Sequence, residues 1–431
     1  MNIKELKELC KNKGIKGYSK KNKKELEELL NIEENYIQKN NENNENNENN
    51  ENNENNENNE NNENNENNEN NENNDEIKIK FNKNQCAMSL FSGMGGDTLG
   101  MEQAGLQVIA YSEKEVKFQK THDMNFTNSK LVGGDITKIS DETFLKYKNL
   151  FKILFAGFPC QSFSNAGKKN PNDPRGTLFK EFVRVAKLCE PDYIIGENVK
   201  GLLSRKTGIG ENVIDIIVEE FEKLDYNIIY KVFKTDKYGV PQKRERLIIL
   251  GVKKHLNKTL TFPEELNTIV DLKNIVKFNM YGAIKIEPED FDMTTIPEEC
   301  VLTDMNNDET ENNVHPYLKV IAKNRDFIYK NIPYPCRLSF SKRDSPVHSE
   351  IIDIRKPSKT IICTYNHQPR LFAPLKNKNG YYLRCLLPDE LKQIQGFPSD
   401  YKLYGSMKEQ IIQIGNAVPP PLIKQIVNCI H

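Results

Sequence analysis

The chain has 431 residues and a formal net charge of −1, and its length allows more than one domain. It contains no stretch of about 20 apolar residues that could span a membrane, and its N-terminus lacks the apolar run of a signal peptide. Its nine cysteines are scattered, with no C-x-x-C pair of the kind that binds zinc, so we expect a soluble protein of the cytoplasm or nucleus, without a bound metal.

Residues 1–35 form a small basic unit. Apolar residues recur at helical spacing on both sides of a turn that contains Gly14 and Gly17, and lysines crowd this turn. The pattern, with the turn sequence GYSKK, resembles the SAP family of DNA-binding modules. The resemblance implies tethering to DNA through phosphate contacts. A basic helical hairpin without a particular ligand would have the same pattern, and the sequence leaves both interpretations open.

Residues 36–76 are dominated by a Glu-Asn-Asn repeat that runs from Glu42 to Asn74. The repeat has no apolar residue with which to bury a core, so we expect a disordered linker. Its eleven glutamates contribute −11 of formal charge, which leaves about +10 on the rest of the chain. A basic remainder fits a polyanionic partner such as nucleic acid, although a solvated lysine-rich surface would give the same balance.

Residues 77–252 alternate between apolar runs typical of strands and segments of helical periodicity. This alternation predicts an α/β fold with a doubly wound sheet. The expected strands lie at 86–91, 107–113, 130–135, 152–160, 192–199, 226–233 and 246–252, with helices at 177–189 and 211–224. Further helices are expected at 388–395 and after Pro421, whereas residues 253–383 show no clear period.

Unusual residues lie at or just beyond the carboxyl ends of five predicted strands: Gly93, Glu113, Asp135, Cys160 and Glu197. In doubly wound sheets, ligands bind beyond the carboxyl ends of the strands. The agreement between the strand pattern and the positions of these residues indicates an enzyme.

The glycine-rich turn FSGMGGDTLG follows the first strand and opens a helix. Its Gly93, Gly95 and Gly96 allow close backbone approach to a ligand, but their spacing differs from the dinucleotide motif. Glu113, about 20 residues on, is placed to accept hydrogen bonds from ribose hydroxyls, and Asp135 from an adenine amine. A glycine turn followed by two acids at strand ends indicates an adenosine-type cofactor.

Cys160 ends a predicted strand and enters the polar loop FPCQSFSNAG. A thiolate nucleophile needs a partly open polar setting of this kind. Glu197 and Asn198 end the next predicted strand, and a carboxyl together with an amide can bind the edge of a pyrimidine. Each motif alone also has a structural explanation, since lone cysteines are usually buried and carboxylates often accept from backbone amides.

At these motifs the chain resembles the DNA (cytosine-5) methyltransferase family, across most of 86–252 and 384–431. The resemblance implies S-adenosyl-L-methionine as the cofactor, bound by Phe91, Ser92, Gly93, Gly95, Gly96, Glu113, Asp135, Ile136, Asn416 and Ala417. It implies a catalytic set of Cys160, Glu197, Asn198, Arg244, Arg246, Gln161 and Pro159. Gln242 belongs to the same Q-x-R-x-R motif as the two arginines. Gln393 stands where the family often has arginine, and Ser89 where many members have aspartate.

The resemblance also implies a division of the chain and a reaction. Residues 77–252 would form the catalytic domain, 253–383 the target-recognition domain, and 384–431 the motifs that complete the catalytic domain. Lys342, Arg343 and Arg370 are candidates for phosphate or guanine contacts. Cys160 would attack C6 of a cytosine flipped out of the duplex, which activates C5 for methyl transfer.

Three alternatives remain open from the sequence. An RNA cytosine methyltransferase would use the same chemistry, but the Cys-Phe-Thr signature of the tRNA-acting branch is absent. An inactive DNA-binding relative is disfavoured by the intact motifs, and a nicotinamide-dependent oxidoreductase by the glycine spacing and Cys160. We expect a monomer that acts on double-stranded DNA, and the sequence leaves open whether a restriction endonuclease is its companion.

Overall fold

The structure is a computed structural model of the chain. It describes residues 82–159, 178–207, 210–286, 297–310, 351–365 and 371–430, together with the backbone of residue 350 and of four short strands between 318 and 340. The expected helical module and linker lie outside the described residues, as do Cys160, Gln161, Lys342, Arg343 and Arg370. No helix in the described ranges has the length and apolar character that a membrane crossing requires.

Seven strands build the central sheet: β1 (Cys86–Leu90), β2 (Gln107–Ser112), β3 (Lys130–Gly133), β4 (Ile153–Ala156), β5 (Tyr193–Val199), β6 (Tyr226–Lys234) and β8 (Glu245–Lys253), with the two-residue β7 (Gln242–Lys243) just before β8. Their spatial order is β3-β2-β1-β4-β5-β8-β6. The first five are parallel, and β8 is antiparallel to both of its neighbours. Four of the parallel strands, β1, β2, β4 and β5, are nearly all buried, as expected for a sheet covered on both faces, whereas the edge strand β3 is only partly buried.

Eight α-helices occur in the described ranges: α1 (Gly96–Gln103), α2 (Val116–Asp123), α3 (Asp141–Leu145), α4 (Phe179–Cys189), α5 (Val213–Glu222), α6 (Pro388–Ile394), α7 (Met407–Asn416) and α8 (Pro420–Asn428). Apolar residues of α1 and α8 pack on one face of the sheet. Those of α3, α4 and α5 pack on the other face. Helices on both faces confirm the predicted doubly wound α/β fold.

The predicted strands and helices of residues 86–252 agree with the structure to within a few residues at their ends. The sequence analysis missed α7, although its first turn carries a helix-start signal. The Ser406 side chain and the Glu409 carboxylate form a capping box there, in which Glu409 accepts from the Ser406 amide at 2.9 Å. The polar face of α7 concealed its apolar periodicity, which rests on few positions such as Ile411 and Ile414.

A second, smaller sheet follows the central sheet along the chain. It is built from β9 (Ile284–Ile286), β10 (Leu302–Asp304), β15 (Glu350–Ile351), β17 (Leu371–Asn377) and β18 (Gly380–Cys385), whereas β11 (Leu318–Ile321), β12 (Ile328–Tyr329), β13 (Ile332–Pro333), β14 (Arg337–Phe340) and β16 (Ser358–Lys359) pair outside it. β16 pairs with β7. The core of the smaller sheet includes residues of α6 and α7 and also Met94 of the glycine turn. Strand β18 spans residue 384, where the sequence suggested a domain boundary. The division of the chain into catalytic and target-recognition domains stays a prediction.

Candidate active site

The carboxyl ends of the parallel strands meet at one edge of the sheet, and the predicted site residues follow these ends. Gly93 comes after β1, Glu113 after β2 and Asp135 after β3, while Pro159 follows β4 and Glu197 lies near the end of β5. Because neighbouring parallel strands end at the same edge, the fold gathers these residues, as doubly wound sheets do for their ligands.

The glycine-rich turn needs glycine for two separate reasons. Gly93 and Gly95 have φ values of +58° and +88°, in the left-handed region where a side chain is strained. Gly96 has ordinary dihedrals, but a Cβ there would clash with the carbonyl oxygen of Val418. Close packing between α1 and the segment after α7 therefore depends on the missing side chain of Gly96.

Glu113 joins the glycine turn to the end of β2. Its Oε2 accepts from the amide of Gly93 and its Oε1 from the amide of Glu115, each at 2.8 Å. The carboxyl is nearly buried, and this burial raises its pKa. A carboxylate has about four acceptor positions, so two further donors, such as the hydroxyls of a ribose, can still be bound.

A buried polar cluster lies beneath the same turn. The Asp97 carboxylate accepts from Ser89 and, at 3.2 Å, from Ser92. Thr98, next to Asp97, bonds Nε2 of the buried His122 at 3.1 Å. Asp97 was not among the residues predicted from the sequence, although an acid directly after two glycines could have been noticed. Its position indicates that it holds Ser92, and with it the turn.

Phe91 and Asp135 flank the turn. Phe91 is half-buried, and its φ of +56° is unusual for a residue with a side chain. Oδ1 of Asp135 accepts from the amide and hydroxyl of Thr137, and Oδ2 pairs with Lys114 at 3.1 Å. Ile136 is buried in the core of the sheet, and its carbonyl accepts from Arg184 at 3.0 Å. The structure thus shows Asp135 capping its own short 3-10 turn.

Asn198 connects two of the predicted motifs. Its Nδ2 donates to the carbonyl of Phe158 at 3.1 Å, and its Oδ1 accepts from the amide of Val199 at 2.9 Å. Phe158 precedes the half-buried Pro159 and lies two residues before Cys160 along the chain. Asn198, which is buried, therefore fixes the backbone that leads into the cysteine loop.

Glu197 and Arg246 form an ion pair across adjacent strands. Arg246 Nε lies 2.7 Å from Glu197 Oε1, and the side chains are only 13% and 11% exposed. Arg246 Nη1 also donates to the carbonyl of Glu245 at 2.7 Å. Burial lowers the pKa of Arg246, while the Glu197 carboxylate opposes that change. The structure brings these two predicted residues into direct contact.

Arg244 and Gln242 bind other segments of the chain. The Arg244 guanidinium is buried and donates to the carbonyls of Ile361 and Gly415, each at 3.0 Å. Burial, followed by the nearby Arg246 charge, lowers the pKa of Arg244. The resemblance includes Arg244 in the catalytic set, and its described partners are backbone carbonyls.

Asn416 and Ala417 end α7 in different surroundings. Asn416 is exposed, whereas Ala417 is only 4% exposed. The carbonyl of Ala417 accepts from the side-chain amide of Gln395. Gln395 was missed because a buried glutamine after a helix has no signature in the sequence. Gln393, the position where family members often have arginine, is half-buried and donates to the Asp389 carboxylate at 2.9 Å.

A family model described as "C-5 cytosine-specific DNA methylase" matches residues 85–431. This range covers well over half of the chain and includes all the strand ends described above. The match is to a methylase family, which excludes the nicotinamide-dependent alternative.

Curated bacterial methyltransferases are similar to this chain. The type II methyltransferase M1.HphI of Haemophilus parahaemolyticus is 32% identical over 354 residues, covering 80% of this chain and 86% of that protein. M.FnuDI of Fusobacterium nucleatum is also 32% identical, over 78% of this chain and 91% of the relative.

Solved methyltransferase structures have the same fold. A mutant of Spodoptera frugiperda DNMT2 superposes with a TM-score of 0.55 at 17% identity, covering 80% of this chain and 98% of the other. The Entamoeba histolytica methyltransferase EhMeth gives 0.54 at 17% identity, over 80% and 97%. The family match over residues 85–431 and the bacterial relatives show that the chain belongs to the C-5 cytosine-specific DNA methylases, which methylate C5 of cytosine in DNA with S-adenosyl-L-methionine.

Proposed function

We propose that this chain methylates cytosine through a covalent bond between Sγ of Cys160 and C6 of the base, at the edge of the sheet described above. The observation that best supports this assignment is the hydrogen bond from Asn198 to the carbonyl of Phe158. That bond ties the start of the cysteine loop to β5, whose Glu197 carries the ion pair with Arg246. A nucleophile and a carboxylate are thus supplied by adjacent strand ends.

The glycine turn fits the cofactor that the family uses. Glu113 would bind the ribose hydroxyls with the acceptor positions that the Gly93 and Glu115 amides leave. Phe91 would stack on the adenine, and Asp135 and Ile136 would face its edge. Ser92, Gly95 and Gly96 shape the turn, and Asn416 and Ala417 close the pocket from the opposite side. When bound, S-adenosyl-L-methionine supplies an electrophilic methyl group on a sulfonium.

The residues of the chain act on the pyrimidine ring. The Cys160 thiolate forms a bond to C6, and the electron pair of the C5–C6 double bond moves toward C5. Glu197 would hold the proton at N3 that accompanies this charge. Oε1 of Glu197 is engaged by Arg246, so we assign the contact with N3 to Oε2. That electron pair would form the bond from C5 to the methyl group. A base, water or hydroxide, then removes the C5 proton, the electron pair of the C5–H bond re-forms the C5–C6 double bond, and the C6–S bond breaks with its electron pair returning to Sγ of Cys160.

Other motif residues position this chemistry. Asn198 fixes the loop entrance through Phe158, Pro159 stiffens the approach, and Gln161 continues the loop beyond Cys160. Arg246 orients Glu197 and would contact the base, while Arg244 holds backbone carbonyls around the pocket. We therefore treat Arg244 as a positioning residue within the catalytic set.

The DNA contacts that we propose involve residues outside the described ranges as well as within them. A cytosine stacked in duplex DNA must be flipped out to reach Cys160, at a cost of a few kcal/mol. We assign recognition of the sequence around it to residues 253–383 and tethering to the SAP-like residues 1–35. The basic charge outside the glutamate repeat favours such a polyanionic partner.

The biological setting is also a proposal. The relatives named above are called type II methyltransferases, and a companion restriction endonuclease that recognises the same site would fit such a name. We expect the protein to act as a soluble intracellular monomer, because each protomer carries all the predicted site residues.

Bisulfite sequencing of DNA from a host that expresses the protein tests the proposal. We expect protected cytosines in one sequence context with the wild type and with Cys429→Ser, which alters an exposed cysteine far from the loop motif. Cys160→Ser should abolish protection while leaving S-adenosyl-homocysteine binding intact. Methylation by Cys160→Ser close to the wild-type level would refute the covalent mechanism. Labelled methyl transfer to tRNA in preference to DNA would support the RNA alternative instead.

A further inference from the structure

Five buried residues form a closed ring of hydrogen bonds beside the candidate site: Gln242, Ile361, Arg244, Ala417 and Gln395. Gln242 Oε1 accepts from the Ile361 amide at 2.9 Å, and the Ile361 carbonyl accepts from Arg244 Nη1 at 3.0 Å. Arg244 Nη2 donates to the Ala417 carbonyl at 3.4 Å. Gln395 Nε2 donates to that same carbonyl, and its Oε1 accepts from Gln242 Nε2 at 2.5 Å, which closes the ring.

The ring joins four segments that are far apart in sequence. Gln242 and Arg244 lie at β7 and the start of β8, Ile361 follows β16, Gln395 follows α6, and Ala417 follows α7. Every member is at most 4% exposed. Buried amides that lose a partner are not rescued by water, so opening the ring at one member leaves its neighbours unsatisfied.

The ring lies between the two halves of the proposed site. On one side, Ala417 leads directly into Val418, whose carbonyl packs against Gly96 of the glycine turn. On the other side, Arg244 is two residues from Arg246, the partner of Glu197. A displacement of Ala417 would therefore change the wall of the cofactor pocket, and a displacement of Arg244 would change the strand that carries Arg246.

We propose that Gln395 and Gln242 are positioning residues that hold the closing segment, residues 415–418, against the glycine turn and so keep the cofactor pocket preformed. The proposal rests on the placement of the cofactor at the glycine turn. Preformed pockets bind more tightly because the ordering of their walls does not have to accompany binding. Loss of the ring should then weaken cofactor binding while the protein stays folded.

Gln395 offers two informative substitutions and a matched control. Gln395→Leu removes both its donor and its acceptor at similar size, whereas Gln395→Glu keeps the shape but cannot donate to the Ala417 carbonyl. Gln393 is two residues away in the last turn of the same helix and is half-buried, and in the described contacts its side chain bonds only to Asp389. Gln393→Leu therefore reports the effect of the same chemical change outside the ring.

Calorimetric titration with S-adenosyl-homocysteine is the first test, made at a temperature where circular dichroism shows each variant to be folded. We expect the Kd to rise at least tenfold for Gln395→Leu and Gln395→Glu, and to stay within twofold of the wild type for Gln393→Leu. A Kd within twofold for both Gln395 variants would overturn the proposal, even if their thermal midpoints fell, because the ring would then serve stability alone.

Hydrogen exchange of the Ile361 amide is the second test and needs no variant, since this amide donates to Gln242 within the ring. We expect S-adenosyl-homocysteine to slow exchange at Ile361 together with residues 415–418. If the Gln395 variants do not fold, this exchange measurement alone tests whether the ring connects the closing segment to cofactor binding. Protection of 415–418 without any change at Ile361 would contradict the ring as the link.

A Glu113→Ala variant separates this proposal from the proposed function. If Glu113→Ala binds S-adenosyl-homocysteine as the wild type does, the cofactor does not lie at the glycine turn, and the proposed function fails. If Glu113→Ala loses binding but the Gln395 variants keep it, the cofactor site stands and only the role of the ring is refuted.

Discussion

Arg246 Nε lies 2.7 Å from Oε1 of Glu197, and the two side chains are 13% and 11% exposed. This pair is a direct contact between two charged residues that the sequence motifs placed in separate segments. Because the carboxylate is proposed to act at N3 of the base, Glu197→Gln should lower kcat by at least about 100-fold, within the usual range for a proton-transfer group. Binding of S-adenosyl-homocysteine should change less than threefold.

Steady-state methylation of a cytosine-containing duplex measures this effect, and Glu245→Gln is its control. Glu245 is on the same strand as Arg246 but pairs with Lys200 at the surface, where an ion pair contributes little. A Glu197→Gln enzyme with kcat within tenfold of the wild type would contradict the assigned role.

The contact between Gly96 and Val418 gives a second prediction. A Cβ at position 96 would clash with the Val418 carbonyl, so Gly96→Ala must push the closing segment away from the glycine turn. We expect the Kd for S-adenosyl-homocysteine, measured by calorimetry, to rise at least tenfold. Gly105→Asn is the control, because nothing lies within 4 Å of a Cβ there and asparagine tolerates the left-handed backbone. Unchanged binding by Gly96→Ala would show that the segment does not wall the pocket.

Asp97 and His122 should affect the pH dependence of stability in opposite directions. Burial raises the pKa of Asp97 from 3.8 to about 7, so the native state holds an extra proton in that window and this contribution to stability falls as pH rises. Burial lowers the pKa of His122 from 6.5 to about 3, so its contribution to stability is lost as pH falls through that window. In the wild type, the contributions of Asp97 and His122 to the slope of unfolding free energy against pH largely cancel between about pH 4 and 6.5.

Asp97→Asn removes the Asp97 contribution to the pH dependence and leaves that of His122. The unfolding free energy of the variant, relative to wild type, should therefore rise with pH by on the order of 1 kcal/mol per unit between about pH 4 and 6.5. Urea unfolding at several pH values in this range measures the difference. A variant whose stability deficit is the same at every pH would show that Asp97 does not titrate in this window.

A buried ion pair in the smaller sheet gives a stability prediction. Arg384, fully buried, donates to both carboxylate oxygens of Glu390, at 2.8 and 2.6 Å. Glu390→Gln leaves the guanidinium charge buried without a counter-charge, so we expect a loss of about 3–5 kcal/mol in unfolding free energy. Glu298→Gln, which alters an exposed pair with Lys376, should cost at most about 1 kcal/mol. Equal urea midpoints for the two variants would refute this account.

The sequence predicted the central sheet well because its buried parallel strands are continuous apolar runs, such as Ile153–Ala156. The site edge followed from the same pattern, since parallel strands present their ends together. The smaller sheet could not be predicted in this way. Its strands are short, and its core joins residues as distant as Leu272 and Ile414, which no local period can reveal.

The roles of individual polar residues were harder to predict from the sequence than the strands of the central sheet. Glu197 and Arg246 were assigned from their motifs, and the structure brings them into contact. Gln395 has partners on distant chain segments that meet only in three dimensions, so composition and spacing give no sign of them. Arg244 shows the converse, because its motif suggested a catalytic contact while its described hydrogen bonds are to backbone carbonyls.

Covalent trapping tests the central claim most directly. A duplex that carries 5-fluorocytosine at the methylated position should form a denaturation-resistant adduct with the wild-type protein in the presence of S-adenosyl-L-methionine, since fluorine at C5 cannot leave as a proton does. Peptide mapping by mass spectrometry should place the modified base on Cys160, and Cys160→Ala should form no adduct. An adduct on another residue, or none with an enzyme that still methylates ordinary DNA, would contradict the mechanism.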